Sequence, residues 1–436
     1  MNDSKLKTSI LLRMFLVATQ TLLLLIPTAI VESLINERSQ RRDSAISEVS
    51  EKWGAPQTIT GPILTIPLKR TVQDDKGKET VLVDNLNILP DSLAIQGELT
   101  TEVRYRGIYE AILYNGNLKI AGTLNIADIP QLDQVGLKPQ WNGAFLTIGI
   151  SDLRGIKEDV WFIFNDAPIS AHAGVQSDDL IRSGITILPR LDPALKKYAF
   201  QFSLNLNGSS ELHFTPLGKH TEVSLKSSWT SPSFAGAFLP DRREIDQHGF
   251  SAHWSILELN RNFPQHWINN RHDVSQSTFG VRLLQTVDEY QKTVRTAKYA
   301  ILIIALTFLA FFLCEVLSPE VLHPIHYSLI GLSLVLFYLL VLSFSEHFGF
   351  DLAYLLSALA VLILISMYSK AVTSQSRTSS IVGVVLLALY AFLYVVLQIE
   401  DYALIIGSVG LLLILAIVMY LTRKVDWFSV SNGEKK

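Results

Sequence analysis

The run YAILIIALTFLAFFLCEVL, from Tyr299 to Leu317, decides the fold class of this chain. A helix needs about 20 predominantly apolar residues to cross the hydrocarbon core of a bilayer, and this run reaches that length with Glu315 as its only charged residue. Five more runs qualify in the same way: Ile10–Val31, Ile325–Phe344, Phe350–Tyr368, Ser380–Ile399 and Tyr402–Leu421. The sequence therefore predicts a membrane α-helical bundle of six spans.

The composition fits a chain divided into apolar and polar sections. Of the 436 residues, 49% are hydrophobic and 18% are charged, whereas soluble domains are about a quarter charged. The formal net charge of -3 gives no reason to expect a nucleic-acid partner. The one cysteine, Cys314, lies inside an apolar run, so a disulfide within the chain is excluded. No sequence motif calls for a cofactor.

The N-terminal run has two interpretations, an uncleaved anchor or a secretory signal peptide. A signal peptide would carry an A-x-A-like cleavage site after its apolar core. The residues Ile26 to Val31, which follow the leucine run, offer no such site. The sequence therefore favours a transmembrane anchor that stays attached.

The charges of the short loops give the orientation of the spans. Cytoplasmic loops are enriched in Lys and Arg, whereas long exported segments cross largely regardless of their charge. With the N-terminus inside, the short outer loops carry only Glu346, Glu400 and Asp401. The inner segments then carry Lys5, Lys7, Lys370, Arg377, Arg423, Lys424, Lys435 and Lys436. We therefore expect both termini in the cytoplasm and the polar middle section outside.

Four regions follow from this topology. Residues 1–31 form the cytoplasmic tip and first span, 32–298 a large extracytoplasmic domain, 299–421 a five-helix bundle, and 422–436 a cytoplasmic tail. Apolar residues at helical spacing predict two helical stalks that flank the large domain and pack against each other. They are Ile46, Val49 and Trp53 in the first stalk, and Leu284, Val287, Tyr290 and Val294 in the second.

The section between the stalks changes to a period of two. Apolar and polar residues alternate in Ile63–Pro67, Glu79–Val83, Asn117–Ala121 and Tyr198–Leu204. Turn signals separate such stretches: Asn115-Gly116, Asn207-Gly208 and Asp75-Lys-Gly77. This pattern predicts a mainly-β domain, built as an antiparallel sandwich or as a pair of related β-units.

Signatures of catalysis are absent from the sequence, which has no G-x-S-x-G, H-E-x-x-H or Walker-type motif. We therefore expect a protein that is not an enzyme. A loose group of histidines could bind a metal or be hydrogen-bonded and solvated, and spacings that match no ligand pattern favour the second interpretation. The group comprises His248, His253, His266 and His272.

Ionisable residues at the ends of the predicted spans are the first functional candidates, because charges within a span are costly and often functional. Two hypotheses remain open, a proton or ion relay through the bundle and ordinary helix capping or headgroup contact. Because the candidate residues lie at the ends of the spans, capping or headgroup contact is the favoured hypothesis. The candidates are Glu315, Asp351, Glu346, His347, Glu400 and Asp401.

A basic cluster after the first span, Arg38, Arg41 and Arg42, has two interpretations. It could bind anionic lipid headgroups, or it could pair with acids of the second stalk such as Asp288 and Glu289. We favour the pairing. The aromatic-rich stretch Ser228–Pro240 could likewise form a groove wall, but core and turn packing is the favoured interpretation.

The sequence also resembles a known family, the CreD family of bacterial inner-membrane proteins. The motifs that carry the resemblance in the domain are Glu37–Asp43, Trp53-Gly54, Gln57-Thr58, Gly61-Pro62, Arg104–Glu110, Ser151–Ile156, Leu206–Ser209, Pro232–Gly236 and Phe238–Pro240. In the membrane part they are Lys298–Leu302, Leu306–Phe308, Ser343–His347, Glu400–Leu404 and Met419–Arg423. The resemblance implies a bacterial inner-membrane protein with a periplasmic domain, associated with envelope stress and colicin tolerance. It implies no catalytic or ligand-binding residue.

Two functional hypotheses follow. The first is a non-enzymatic factor for cell envelope integrity and stress response, in which the periplasmic domain binds an envelope component or partner and the bundle anchors it. The second is a transporter or lipid-handling protein that works through the C-terminal bundle. Membrane lipids, and an envelope protein or lipid, are the expected partners.

Overall fold

The computed structural model describes residues 10–73, 79–127, 137–284, 289–317, 322–372, 376–399 and 402–423. The chain forms two compact units. The helical unit comprises Met1–Arg42 and Val287–Lys436, and the β-rich unit comprises Asp43–Thr286.

The helices follow the apolar runs of the sequence. They are α1 (Ile10–Leu23), α2 (Leu25–Trp53), α3 (Glu289–Lys298), α4 (Ala300–Leu317), α5 (Pro324–Phe348), α6 (Phe350–Val372), α7 (Ser376–Gln398) and α8 (Ala403–Thr422). Among the described residues, five helical segments are long and apolar enough to cross a membrane. They are Leu12–Trp53, which α1 and α2 form together, and the helices α5, α6, α7 and α8. A sixth is added if α3 and α4, which are bent by 42° at their junction, count as one span.

Pro27 explains the break between α1 and α2. Proline lacks an N–H, and its ring clashes with the carbonyl four residues earlier, which here belongs to Leu23. The helix resumes at Leu25 and continues to Trp53, as the helical spacing of the first stalk predicts.

The core of the helical unit is rich in aromatic side chains. Phe337 of α5 lies at its centre and contacts Tyr338, Tyr354 and Tyr390, with ring centroids 4.9, 5.3 and 4.7 Å away. The Tyr354 hydroxyl donates to the backbone carbonyl of Tyr390 at 2.8 Å, which ties α6 to α7. In contrast, α8 buries none of its described side chains within the unit.

The β-rich unit contains two large sheets. Its strands are β1 (Gln57–Gln73), β2 (Glu79–Ile88), β3 (Ser92–Arg106), β4 (Tyr109–Asn125), β5 (Lys138–Pro139), β6 (Phe145–Ile150), β7 (Trp161–Phe164), β8 (Ala167–Ser170), β9 (His172–Ala173), β10 (Gly184–Ile187), β11 (Lys197–Ser209), β12 (Glu211–Phe214), β13 (His220–Ser227), β14 (Pro232–Gly236), β15 (Arg242–Asp246), β16 (Gly249–Leu257), β17 (His266–Ile268) and β18 (Phe279–Leu283).

The ten-stranded sheet follows the order β14-β18-β12-β1-β6-β10-β9, with β2 and β5 on β1 and with β17 on β2. The eight-stranded sheet follows the order β15-β16-β13-β3-β4-β11-β7-β8. Alternate residues of both sheets point into one shared apolar core, which is the arrangement of a β-sandwich. The prediction of a mainly-β domain is therefore confirmed.

The prediction that the sandwich is antiparallel is wrong for two strand pairs. Strand β12 lies parallel to β1, and β13 lies parallel to β3. The same four-strand path explains both. Strands β1, β3, β4 and β6 pass from the ten-stranded sheet into the eight-stranded one and back, and β12, β13, β16 and β18 repeat that path. The two paths lie side by side. Their first strands, β1 and β12, are therefore parallel neighbours, and so are their second strands, β3 and β13.

Two of the predicted turns lie inside strands. Asn115-Gly116 belongs to β4 and Asn207-Gly208 belongs to β11. Asn115 pairs with Asn207 across the two strands, and its side-chain amide donates to Asn207 Oδ1 at 3.0 Å. Gly208 is needed for close packing and does not form a turn, because a Cβ atom at this position would lie 2.3 Å from the Tyr114 hydroxyl oxygen. Asp75-Lys-Gly77 lies outside the described residues.

The predicted second stalk begins later than its apolar spacing suggests. Leu284 is not helical, because its N–H donates to the Ser231 carbonyl and its own carbonyl accepts from Trp229 Nε1, extending the pairing of β18. Helix α3 begins at Glu289. Val287 lies outside the described residues.

Candidate functional site

Glu315, a predicted candidate, forms a buried ion pair with Arg13. Arg13 Nη1 lies 2.9 Å from Glu315 Oε1, and the Glu315 side chain is only 4% exposed. The second carboxylate oxygen of Glu315 accepts from the Tyr327 hydroxyl at 3.0 Å. The three residues belong to α1, α4 and α5, so this cluster joins three helices of the bundle.

A neighbouring contact strengthens the same seam. Gln20 of α1 donates from its amide to the Pro324 carbonyl at 2.8 Å and to Ser328 Oγ at 3.0 Å. Polar side chains between transmembrane helices are costly unless they are paired. Arg13 therefore fixes the position of α1 against α4, and Gln20 fixes it against α5.

Glu346, another candidate, lies in a second cluster near the end of α5. Its carboxylate is 3.9 Å from Arg38 Nη1 and accepts from the Tyr290 hydroxyl at 3.0 Å. The Arg42 guanidinium lies over the Tyr290 ring, 5.1 Å from its centroid. This cation–π contact and the ion pair join α2, α3 and α5.

Asp351 forms a third cluster with residues of α7. Its Oδ1 atom accepts from the Tyr394 hydroxyl at 3.1 Å and from the Gln398 amide. Lys292 Nζ of α3 in turn donates to Gln398 Oε1 at 3.3 Å. Hydroxyl and amide donors of α7 bind this carboxylate, so the contact ties α6 to α7.

The first two clusters lie about one membrane thickness apart. At 1.5 Å of rise per residue, α5 spans about 28 Å between Tyr327 and Glu346. The hydrocarbon core of a bilayer is about 30 Å thick. The paired charges therefore fall where the two membrane boundaries are expected.

The remaining candidates are exposed or lie outside the described residues. Arg41 Nη2 pairs with Glu37 on the same helix at 2.6 Å, and both side chains are more than half exposed. His347 is exposed at the end of α5. Glu400, Asp401, Asp288 and the Glu289 side chain are not described, so pairing of the arginines with the second-stalk acids stays a prediction.

The four histidines of the β-rich unit are spread over separate strands and loops. His253 Nδ1 shares a hydrogen bond with Ser224 Oγ at 2.9 Å, and His272 packs edge-on against Trp267 with ring centroids 5.4 Å apart. Among the residues that the structure describes, no group of three or more His, Cys, Asp or Glu side chains could hold a metal ion.

Several motifs that are far apart in the sequence meet around Gln57, which is 1% exposed. The Gln57 amide donates to the carbonyls of Asp152 and Asn207 at 2.9 and 3.1 Å. Its Oε1 atom accepts from Ser151 Oγ and from the Asp152 N–H, both at 3.2 Å. Three motifs, at Gln57, Ser151–Ile156 and Leu206–Ser209, therefore form one buried network.

The Asp152 side chain extends this hydrogen-bond network. Its carboxylate accepts from the Ala55 N–H at 2.9 Å and from Arg154 Nε at 2.9 Å. Burial raises the pKa of the Asp152 carboxyl, but the hydrogen bonds from Arg154 and from the two backbone N–H groups outweigh burial and hold that pKa below its ordinary value.

The end of helix α2 is fixed to the sandwich beside this network. Trp53 Nε1 donates to the Tyr114 carbonyl at 3.2 Å, and the Arg104 guanidinium covers the Trp53 ring at 4.2 Å. A Cβ atom at Gly155 would lie 2.3 Å from the Asn207 carbonyl oxygen, so this close packing requires glycine. The motifs in this region thus have a structural role.

An open groove lies on the outer face of the eight-stranded sheet. Its volume is about 740 Å³, within the range of ligand pockets. Exposed side chains of β3, β4 and β11 form its floor. One wall is formed by Glu158, in the loop before β7, and by Trp161, the first residue of β7. We name this feature the sheet-face groove.

The sequence did not predict the sheet-face groove. Its residues occupy alternate positions of strands that become neighbours only in the folded sheet, such as Gln96, Lys119 and Ser203. The one local signal is Trp161, a large aromatic residue at a strand start, which is 58% exposed. The aromatic stretch Ser228–Pro240 instead packs on the core, with Phe234 edge-on to Trp254 at 5.7 Å.

Comparison with known proteins gives one family and one curated relative. The family model described as "Inner membrane protein CreD" matches residues 9–428 of this chain. The relative is the Inner membrane protein CreD of Escherichia coli (strain K12), which is 33% identical over 423 residues. That alignment covers 95% of this chain and 93% of the relative.

Proposed function

Because the chain belongs to the CreD family of inner membrane proteins, we propose that it is a non-enzymatic factor for cell envelope integrity and stress response. In this proposal the helical unit anchors the protein in the inner membrane with six spans and both termini in the cytoplasm. The β-rich unit lies in the periplasm and binds an envelope component through the sheet-face groove.

The observation that carries this proposal is that three candidate carboxylates of the helical unit each bind a side chain of another helix. Glu315 pairs with Arg13, Glu346 pairs with Arg38, and Asp351 accepts from Tyr394 and Gln398. Each contact joins two helices. Side chains engaged in this way favour a rigid scaffold over a path along which an ion or substrate moves.

The charges of the short loops support the proposed orientation. Lys370 lies in the last turn of α6, Arg377 lies at the start of α7, and Arg423 follows α8. Such residues are enriched on the cytoplasmic side. The β-rich unit then belongs to the opposite, periplasmic side.

The alternative is a transporter or lipid-handling protein that uses the C-terminal bundle. It requires a cavity in the helical unit large enough for its cargo. An apolar groove between α5 and α6, lined by Leu336, Ile365 and Tyr368 among others, holds about 240 Å³. That volume lies below the usual range of ligand pockets of about 300–1,000 Å³, so this groove does not supply the cavity that the alternative requires.

A complementation experiment with the full-length chain tests the proposal. A deletion strain would be scored for envelope sensitivity with two variants expressed at native membrane levels. Ala121→Trp fills the groove floor from an exposed position, and we expect it to lose function. Asp351→Asn keeps an acceptor for Tyr394 and removes the charge, and we expect it to retain function.

The control for bulk is Ala173→Trp, an exposed alanine of the other sheet, which should complement fully. The opposite pattern, with function retained by Ala121→Trp and lost by Asp351→Asn, would support the transport alternative and contradict the anchor.

A further inference from the structure

The sheet-face groove has a polar floor made by neighbouring strands. Gln96 of β3 lies beside Lys119 of β4, which lies beside Ser203 of β11. The next exposed row contains two alanines, Ala94 and Ala121, beside Gln201. The alanines leave a shallow depression, flanked by side chains that can form hydrogen bonds.

The position of the groove excludes recognition by strand addition. Strand β4 is paired with β3 on one side and β11 on the other, and β11 is paired with β4 and β7. The backbone N–H and C=O groups of these strands are therefore already used. A ligand has to be recognised by side chains, and it must supply its own hydrogen-bonding groups.

The charges of the groove favour a neutral ligand. Lys119 is its one basic lining residue, and Glu158 and Asp159 of the wall are acidic. The other polar lining residues are amides and a hydroxyl: Gln96, Asn117, Gln201, Ser203 and Asn205. Amide side chains both donate and accept hydrogen bonds, which matches the hydroxyl and acetamido groups of a sugar.

The wall of the groove is held in place. Asn205 Nδ2 donates to Glu158 Oε1 at 3.2 Å, and the Lys157 N–H donates to the Asn205 carbonyl at 3.1 Å. The Asn115 amide in turn donates to Asn205 Oδ1 at 2.7 Å. The loop that leads to Trp161 is thus tied to the floor before any ligand binds.

Trp161 is exposed, whereas the other described tryptophans of the β-rich unit are buried or half-buried. The indole N–H groups of Trp53, Trp229 and Trp254 all donate to backbone carbonyls. Trp161 lies at the rim of the groove with 58% of its surface exposed. An indole ring combines a flat apolar face with a polar edge, and such a face packs well against the C–H groups of a pyranose ring.

From these observations we propose that the sheet-face groove binds a neutral glycan chain. One pyranose ring stacks on Trp161, and sugar hydroxyls bind Gln96, Gln201 and Ser203 on the floor. This inference rests on the proposed function, because it names the envelope component as a neutral glycan.

The test measures binding to the full-length protein in lipid nanodiscs, because maltoside and glucoside detergents would compete as sugars. Isothermal titration with chitotetraose, a neutral β-1,4-linked N-acetylglucosamine chain, is the primary probe. Cellotetraose tests whether the acetamido groups are needed, and heparin serves as a polyanionic control. We expect saturable binding of chitotetraose and none of heparin.

Variants locate the binding. Trp161→Ala should weaken chitotetraose binding at least about tenfold, whereas Trp161→Phe should keep the affinity within about threefold because the aromatic face remains. Tyr105→Ala removes an aromatic side chain that is 66% exposed on β3 outside the groove, and it should leave binding unchanged. Far-UV circular dichroism would show that each variant is folded.

The absence of saturable chitotetraose binding, or equal binding by Trp161→Ala and the native chain, would overturn the glycan inference. If the glycan inference is overturned in this way while Ala121→Trp still abolishes complementation, the groove binds a different envelope component and the proposed function stands. If Trp161→Ala loses glycan binding but both variants complement fully, the glycan site stands and the proposed function fails.

Discussion

Arg13 of the first helix and Glu315 of the fourth lie 2.9 Å apart, although 302 positions separate them in the chain. This ion pair makes α1 a structural member of the C-terminal bundle instead of a detached anchor. Because the Glu315 side chain is 4% exposed, little water can replace Arg13 as the partner of this carboxylate. Removing one partner from such a pair leaves an uncompensated buried charge.

Replacing Arg13 by Ala should therefore destabilise the helical unit by roughly 3 kcal/mol, because it leaves the buried Glu315 carboxylate without its cationic partner. The change would be measured as a lower melting temperature of the purified protein. Arg41→Ala is the matched control. The Arg41–Glu37 pair is largely exposed, so its loss should change stability by less than about 1 kcal/mol. The charge swap Arg13→Glu with Glu315→Arg should recover part of the loss. No recovery would count against the pairing.

Gln57→Leu should destabilise the β-rich unit by about 2–4 kcal/mol, because two buried carbonyls and one buried N–H lose their partner. Urea unfolding followed by tryptophan fluorescence would measure the change. Gln247→Leu, at an exposed turn between β15 and β16, should be nearly neutral. Equal effects of the two variants would show that the network around Gln57 does not stabilise the fold.

Asp152 should make the stability of the β-rich unit depend on acid. Its pKa is lowered in the folded state, so its contribution is present above the pKa of the unfolded chain. That contribution is lost as the pH falls below about 4 and through the lower, folded-state pKa. Asp152→Asn should be less stable than the native chain at neutral pH, and the gap should narrow below about pH 4. A gap that stays constant down to about pH 2 would contradict the assignment.

Gly410 should be the point at which α8 packs on the bundle. A Cβ atom at Gly410 would lie 2.3 Å from Cζ of Phe392 on α7, whereas one at Gly407 would meet no atom within 4 Å. Gly410→Ile should therefore displace α8, and Gly407→Ile should not. Disulfide cross-linking between cysteines placed on α7 and α8 would report the displacement as a lower yield. Equal yields for the two variants would contradict this contact.

The sequence predicted which segments form helices and strands better than which segments and side chains contact each other. Apolar runs and alternating residues depend on local periods, which is why α5, α6 and β4 could be recognised. The parallel pairing of β1 with β12 depends on contacts between residues such as Gln57 and Leu212, which no local pattern encodes. For the same reason Glu315 could be chosen as a candidate, but its partner Arg13 could not.

The turn predictions failed for a related reason. An Asn-Gly pair is the strongest short hairpin signal, yet Asn115 and Asn207 face each other across two long strands. There Gly208 leaves room for the Tyr114 side chain, which a Cβ atom at that position would contact at 2.3 Å. The sheet-face groove was likewise invisible, because Gln96 and Ser203 become neighbours of Lys119 only when the sheet forms.

The most direct measurement of the central claim replaces helices α4 to α8 by one unrelated transmembrane span, keeps residues 1–298, and scores rescue of the deletion strain. Protease protection in spheroplasts would first show that the chimera is folded and exported. We predict that the chimera restores envelope resistance, because the β-rich unit carries the activity and the bundle holds it. A folded, exported chimera that fails to rescue would place the activity in the bundle and contradict this account.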